Sequence, residues 1–73
     1  MKSKYSITVG AGISPVGLAK WYEQKHSGFL ASEPVKGNDG FWTFDFEVYE
    51  DECDALEVAL NKDTRVRSFA AKE

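Results

Sequence analysis

The stretch from Gly40 to Glu50, reading GFWTFDFEVYE, constrains the fold of this chain more than any other. Trp42, Phe44, Phe46 and Val48 alternate with Thr43, Asp45, Glu47 and Tyr49. Successive side chains of a strand point to opposite sides, so the apolar set shares one face. The other face, with Phe41, Thr43, Asp45, Glu47 and Tyr49, carries charge and is expected to stay partly wet. That asymmetry asks for a sheet covered by helices on one side only. Each apolar side chain of the set contributes roughly 1.5–3 kcal/mol when buried, which makes this segment a central strand.

The flanking sequence supplies the partners. Lys4 to Val9 alternates with Tyr5, Ile7 and Val9 on one side, a first strand. Gly10, Ala11 and Gly12 break the pattern, and Ser14 followed by Pro15 is an N-cap with a first-turn proline. The spacing of Leu18, Trp21, Tyr22 and Lys25 predicts a helix from Pro15 to Ser27, with Gly28 as a left-handed stop. Phe29 to Val35 reads as an edge strand, because Pro34 cannot donate a ladder hydrogen bond. The cluster Lys36 to Gly40 turns it into a hairpin with the central strand.

Acids gather at Glu50, Asp51, Glu52 and Asp54, where they suit the start of a second helix. Asp51 is its expected N-cap, with Asp54 completing a capping box. Leu56, Ala59 and Leu60 form the apolar stripe, and Asn61, Lys62 and Asp63 end it. A last strand from Thr64 to Ala70 is expected to turn Val66 and Ser68 inward and Arg65, Arg67 and Phe69 outward. The order βαββαβ predicts one α+β domain over residues 1–73, a ferredoxin-like four-stranded antiparallel sheet of order 4-1-3-2 with two helices on one face.

Composition narrows the function by exclusion. A chain of 73 residues that is 42% hydrophobic and 14% aromatic is a small globular domain outside the disordered range. Cys53 is the sole cysteine, so neither an internal disulfide nor a multi-cysteine zinc site can form, and a reducing compartment is expected. The amino terminus lacks the apolar run of a secretion signal and no segment reaches the length of a membrane span, so the expected location is cytoplasmic, with no membrane association. A net charge of -3 argues against a duplex-DNA binder, which needs a basic footprint.

No catalytic constellation stands out. The first loop, GAGISP, lacks the thiolates of a metal-carrying domain and the arginine of an acylphosphatase-like site; the first arginine is Arg65. Gly10 and Gly12 before a helix suit an anion cradle, but a tight strand-to-helix turn needs them anyway. The topology brings His26 toward Cys53, a nucleophile and base in principle. The plainer reading puts Lys25 and His26 against the acids and Cys53 in the core as a small apolar residue. No enzyme activity, metal or cofactor is expected.

ITVGAG at Ile7 to Gly12 resembles the first-strand motif of RNA-recognition domains, and GFWTFDF at Gly40 to Phe46 is similar to the motif on their third strand. In that family aromatics on the open sheet face stack on bases, which implies an RNA or single-strand binding role here. At the corresponding outward positions Thr8, Phe41 and Thr43, only Phe41 can stack, and Asp45 and Glu47 oppose phosphate. Arg65, Arg67 and Phe69 are the substitute surface on that alternative. The leading expectation is a non-enzymatic protein-binding module. Its surface comprises Glu47, Glu50, Asp51, Glu52, Asp54, Phe41 and Tyr49 and meets a basic partner, in the manner of the small inhibitors of nucleic-acid-handling proteins that phages and mobile elements encode. A homodimer is the second partner expected, through the edge strand or the open face.

Overall fold

The computed structural model describes residues 2–72. The elements run β1 (Lys2–Val9), α1 (Pro15–Lys25), β2 (Gly28–Leu30), β3 (Val35–Lys36), β4 (Trp42–Tyr49), one turn of 3-10 helix (Glu50–Glu52), α2 (Cys53–Lys62) and β5 (Val66–Lys72). β1 and β4 form the antiparallel centre of the sheet, in register from Lys2 opposite Tyr49 to Val9 opposite Trp42. β5 flanks β1, and β2 and β3 both pair with β4, so an α+β fold with a five-stranded antiparallel sheet and two helices results.

The strand order β2-β4-β1-β5, with β3 also on β4, differs from the four-stranded 4-1-3-2 arrangement expected. The difference arises where Phe29 to Val35 was expected to be continuous. After Ala31 N–H donates to Asp45 O, the Ser32 hydroxyl accepts from Asp45 N–H at 3.1 Å in place of a backbone carbonyl. Pro34 then has no N–H to offer, and pairing resumes only at Val35 opposite Thr43.

The alternation of β4 places its side chains as expected. Phe44, Phe46 and Val48 are fully buried, and Trp42 packs against them half-buried. Tyr5, Ile7 and Val9 of β1 lie on the same side, joined by Leu18, Ala19 and Tyr22 of α1 and Leu56 and Leu60 of α2 in one core. Both helices therefore cover one face and leave the other bare. Trp21 departs from the expected stripe: Leu18, Ala19 and Tyr22 turn inward while Trp21 stays 40% exposed.

Ser14 caps α1, its hydroxyl accepting from Gly17 N–H at 3.2 Å, with Pro15 in the first turn. The helix ends through extended backbone at His26, not at a left-handed Gly28. Gly28 is needed for space: a Cβ there would lie 2.5 Å from Glu47 O and 2.6 Å from a Val48 methyl, where β2 meets β4. The positive φ, 86°, belongs to Gly40, which closes the Gly37 to Gly40 turn of the hairpin. At α2 the expected capping box of Asp51 and Asp54 does not form. Glu52 is the N-cap residue and makes no side-chain cap, because the preceding 3-10 turn already supplies Glu50 O to Cys53 N–H.

β5 also differs from expectation. Thr8 pairs with Ser68 and Val9 with Val66, so Arg67 is an extra residue in a bulge. Past the bulge the alternation is reset: Phe69 lies opposite Ile7 on the core side, its ring 6.3 Å from that of Tyr5, and Ser68 turns outward.

Candidate functional site

The acidic residues divide into three settings. Glu50 and Asp51 on the 3-10 turn, and Asp54 in the first turn of α2, are exposed and make no ion pair among the described residues. Glu52 turns back to α1, its Oε1 3.3 Å from His26 Nδ1. Glu47 lies on the bare face of β4, opposite Lys4 on one side and Phe29 on the other. The expected tract is thus not one patch: Glu50, Asp51 and Asp54 face solvent together, while Glu47 lies across the strands from Lys4 and Glu52 turns back to the His26 ring. Tyr49 stands at the junction, 49% exposed, and with Ser27, Glu50 and Asp51 lines an open hollow of about 360 Å³.

The bare face is built by alternation from Lys2, Lys4, Ser6 and Thr8 of β1, Thr43, Asp45, Glu47 and Tyr49 of β4, and Ser68, Ala70 and Lys72 of β5. Thr8 and Thr43 hydroxyls bond across its centre at 3.1 Å, and Lys72 Nζ holds Asp45 at 3.0 Å. Lys2 Nζ lies 4.9 Å from the Phe29 ring centre and 5.4 Å from that of Tyr49. The bulge sets the Arg67 guanidinium 4.5 Å over the Phe41 ring.

Arg65 does not join this face. Its guanidinium donates to Asp63 through two nitrogens, each at 2.8 Å, and lies 5.0 Å from the centre of the Trp21 ring. The Tyr22 hydroxyl donates to the same carboxylate at 2.7 Å. The Arg65 hydrogen bonds hold the Asp63 carboxyl down to about 2, and the carboxylate in turn raises Arg65. Burial, reinforced by Asp63, raises Tyr22 above its ordinary range. Of the substitute surface Arg65, Arg67, Phe69 and Phe41, only Arg67 and Phe41 therefore come together. Asp63 ties Arg65 to α1, and the bulge turns Phe69 inward.

His26 and Cys53 do not form a nucleophile and base. His26 stacks near Tyr22, ring centres 5.9 Å apart, and bonds Glu52, while Cys53 Sγ–H points to Tyr49 O at 3.8 Å. In the first loop the Gly10 N–H donates to Arg65 O and the Ile13 N–H to Gly10 O, so two of the amides an anion would need are already engaged. No group of three metal-ligating side chains occurs among the described residues, and no helix among them is long and apolar enough to cross a membrane.

Sequence reasoning missed Lys2, Lys4, Lys72 and Phe29 as parts of one surface. Their shared face depends on the pairing register of separate strands, which no single segment displays; the alternation of β1 was the one local signal. No family model matches the chain, and neither a curated protein nor a solved structure is significantly similar to it.

Proposed function

We propose that this protein is a non-enzymatic binding module whose acidic corner, formed by Tyr49, Glu50, Asp51 and Asp54, docks on a basic surface of another protein. The observation that carries this reading is the exposure of Glu50, Asp51 and Asp54 without an ion-pair partner among the described residues, beside a half-exposed tyrosine. Unpaired charge steers association and selects a partner of opposite sign, and tyrosine adds contact area at low entropic cost. A partner whose basic surface normally takes nucleic acid fits such a corner, so the role we assign is a modulator or inhibitor of a nucleic-acid-handling protein.

The fold reading that accompanies this role is ferredoxin-like. β2 and β3 lie on the same edge of β4, and counted as two halves of one interrupted strand they make the sheet four positions wide. Support for that count comes from the hairpin, in which Gly37 N–H donates to Phe41 O at 2.8 Å.

A tagged protein is used to capture its partner from nuclease-treated and untreated lysate at two salt concentrations. Capture is expected to survive nuclease and to fall with salt. Glu50→Lys with Asp51→Lys should abolish it without unfolding the domain, since both side chains are exposed. Capture that is unchanged in this variant would sink the acidic corner as the docking surface.

A further inference from the structure

We infer that the helix-free face of the sheet is a binding site for single-stranded nucleic acid, adjoining the acidic corner at Tyr49 but distinct from its acids. The first observation is charge segregation. This face carries Lys2, Lys4, Arg67 and Lys72 against Asp45 and Glu47. Among the described residues, four of the nine cations and two of the eleven acids thus lie here, leaving five cations and nine acids elsewhere in a chain of net charge -3. The sheet face is a cationic island on an acidic molecule.

The second observation is where the uncompensated cations sit. Lys72 is bound to Asp45 at 3.0 Å, and Lys4 is the register partner of Glu47. Lys2, Lys4 and Arg67 make no ion pair among the described residues, and two of these three lie against aromatic rings, Lys2 against Phe29 and Tyr49, Arg67 against Phe41. A flat ring beside a free cation offers a base something to stack on and its phosphate a counter-charge. A duplex keeps its bases stacked inside and gains only the charge term, so single strands are favoured.

The third observation is spacing. Phe41 precedes β4 and Tyr49 ends it, so the two ring clusters stand about 26 Å apart along an extended strand. The Thr8, Thr43 and Ser68 hydroxyls lie between them on the same face. A strand several nucleotides long is needed to reach both ends. Affinity should therefore climb steeply with oligonucleotide length and then level off.

Fluorescence anisotropy with labelled oligouridylate and oligodeoxythymidylate of increasing length, at several salt concentrations, tests this. Phe29→Leu with Phe41→Leu keeps the apolar bulk and removes the rings, and should weaken binding between about fivefold and a hundredfold per ring. Lys2→Gln with Arg67→Gln should lower the slope of log affinity against log salt by about 0.7 for each cation. Glu47→Gln should tighten binding, and Glu50→Lys with Asp51→Lys should preserve or tighten it, which separates this site from the acidic corner. Circular dichroism checks that each variant is folded. No binding by the wild type at low salt would overturn the inference, as would equal binding of a duplex of the same sequence or unchanged affinity in the leucine variant. A polyglutamate peptide that competes as well as the oligonucleotide would overturn it too, and would assign the face to an acidic protein.

Discussion

Asp63→Asn is expected to cost about 1–2 kcal/mol at neutral pH and almost nothing near pH 2. The Asp63 side chain is only 8% exposed and accepts hydrogen bonds from the Tyr22 hydroxyl at 2.7 Å, from Arg65 N–H at 2.9 Å and from two guanidinium nitrogens at 2.8 Å. These bonds hold its carboxyl at about 2 instead of the ordinary 3.8. At about 1.4 kcal/mol for each pH unit, that difference corresponds to roughly 2.5 kcal/mol before screening. The 40% exposure of the Arg65 side chain lets solvent screen part of it, hence the lower end of the range.

The sign follows from the depressed value. Above the ordinary carboxyl range the carboxylate is charged in both folded and unfolded chains, and its full contribution is present. As the pH falls from about 4 to about 2 the unfolded chain takes up the proton first, and the contribution is lost by the time the folded carboxyl is protonated. Urea unfolding of wild type and Asp63→Asn, followed by tryptophan fluorescence, reads this directly, because Trp21 lies under Arg65. Other carboxylates weaken both proteins in acid, so the quantity of interest is the gap between them. A gap that stays constant between pH 4 and pH 2 would refute the coupling of Asp63 to folding.

Gly28→Ala should destabilise by about 1–3 kcal/mol, since its Cβ would fall 2.5 Å from the Glu47 carbonyl in a place that only backbone movement can relieve; thermal melting equal to wild type would show that β2 yields freely. Phe44→Ala should cost about 3–5 kcal/mol, whereas Asp45→Ala should cost about 1 kcal/mol or less, because Asp45 loses only the partly exposed Lys72 pair. Equal losses in urea would mean that the two faces of β4 are exchanged. β5 pairs only with β1 on one side, so sedimentation at high micromolar concentration is expected to show self-association through its free edge, abolished by Ala70→Pro. A wild-type monomer at that concentration would remove the edge as an interface.

Much of the architecture was legible because it rests on local period and local caps. The alternation from Trp42 to Val48 assigned the buried face of β4, and Ser14 with Pro15 placed the start of α1. A glycine after a helix usually marks a left-handed stop, and from sequence alone Gly28 fits that rule. Its actual constraint is a neighbour twenty residues on, Val48 and the Glu47 carbonyl, and no local rule contains that contact. The inward turn of Phe69 was hidden for a related reason: one bulged residue reverses every later side chain, and a bulge is a property of the pair of strands. The acidic run was visible as composition, but the engagement of Glu52, and not of Glu50, Asp51 or Asp54, depended on His26 arriving from a distant segment.

That last dependence bears on how net charge should be used for a chain of this size. A value of -3 argues against nucleic-acid binding only if the charge is spread evenly, because the field at a contact surface comes from the groups within roughly a Debye length of it, about 8–10 Å at moderate salt. In a domain one sheet and one helix layer thick, the bare sheet face and the exposed acids are shielded from each other by solvent wherever they diverge, and they meet at Tyr49 and Glu50, the latter lining one hollow with Lys2 and Lys4. Lys2 occupies that point, over the Tyr49 ring. With this ammonium at the boundary, the negative corner and the cationic sheet face can present opposite signs to different partners. Neutralising Lys2 alone is then expected to weaken oligonucleotide binding more at low salt than at high, while leaving capture of a basic partner intact or stronger. If instead Lys2→Gln weakened both interactions to the same extent, the two surfaces would be a single site and the partition of charge between them would not be functional.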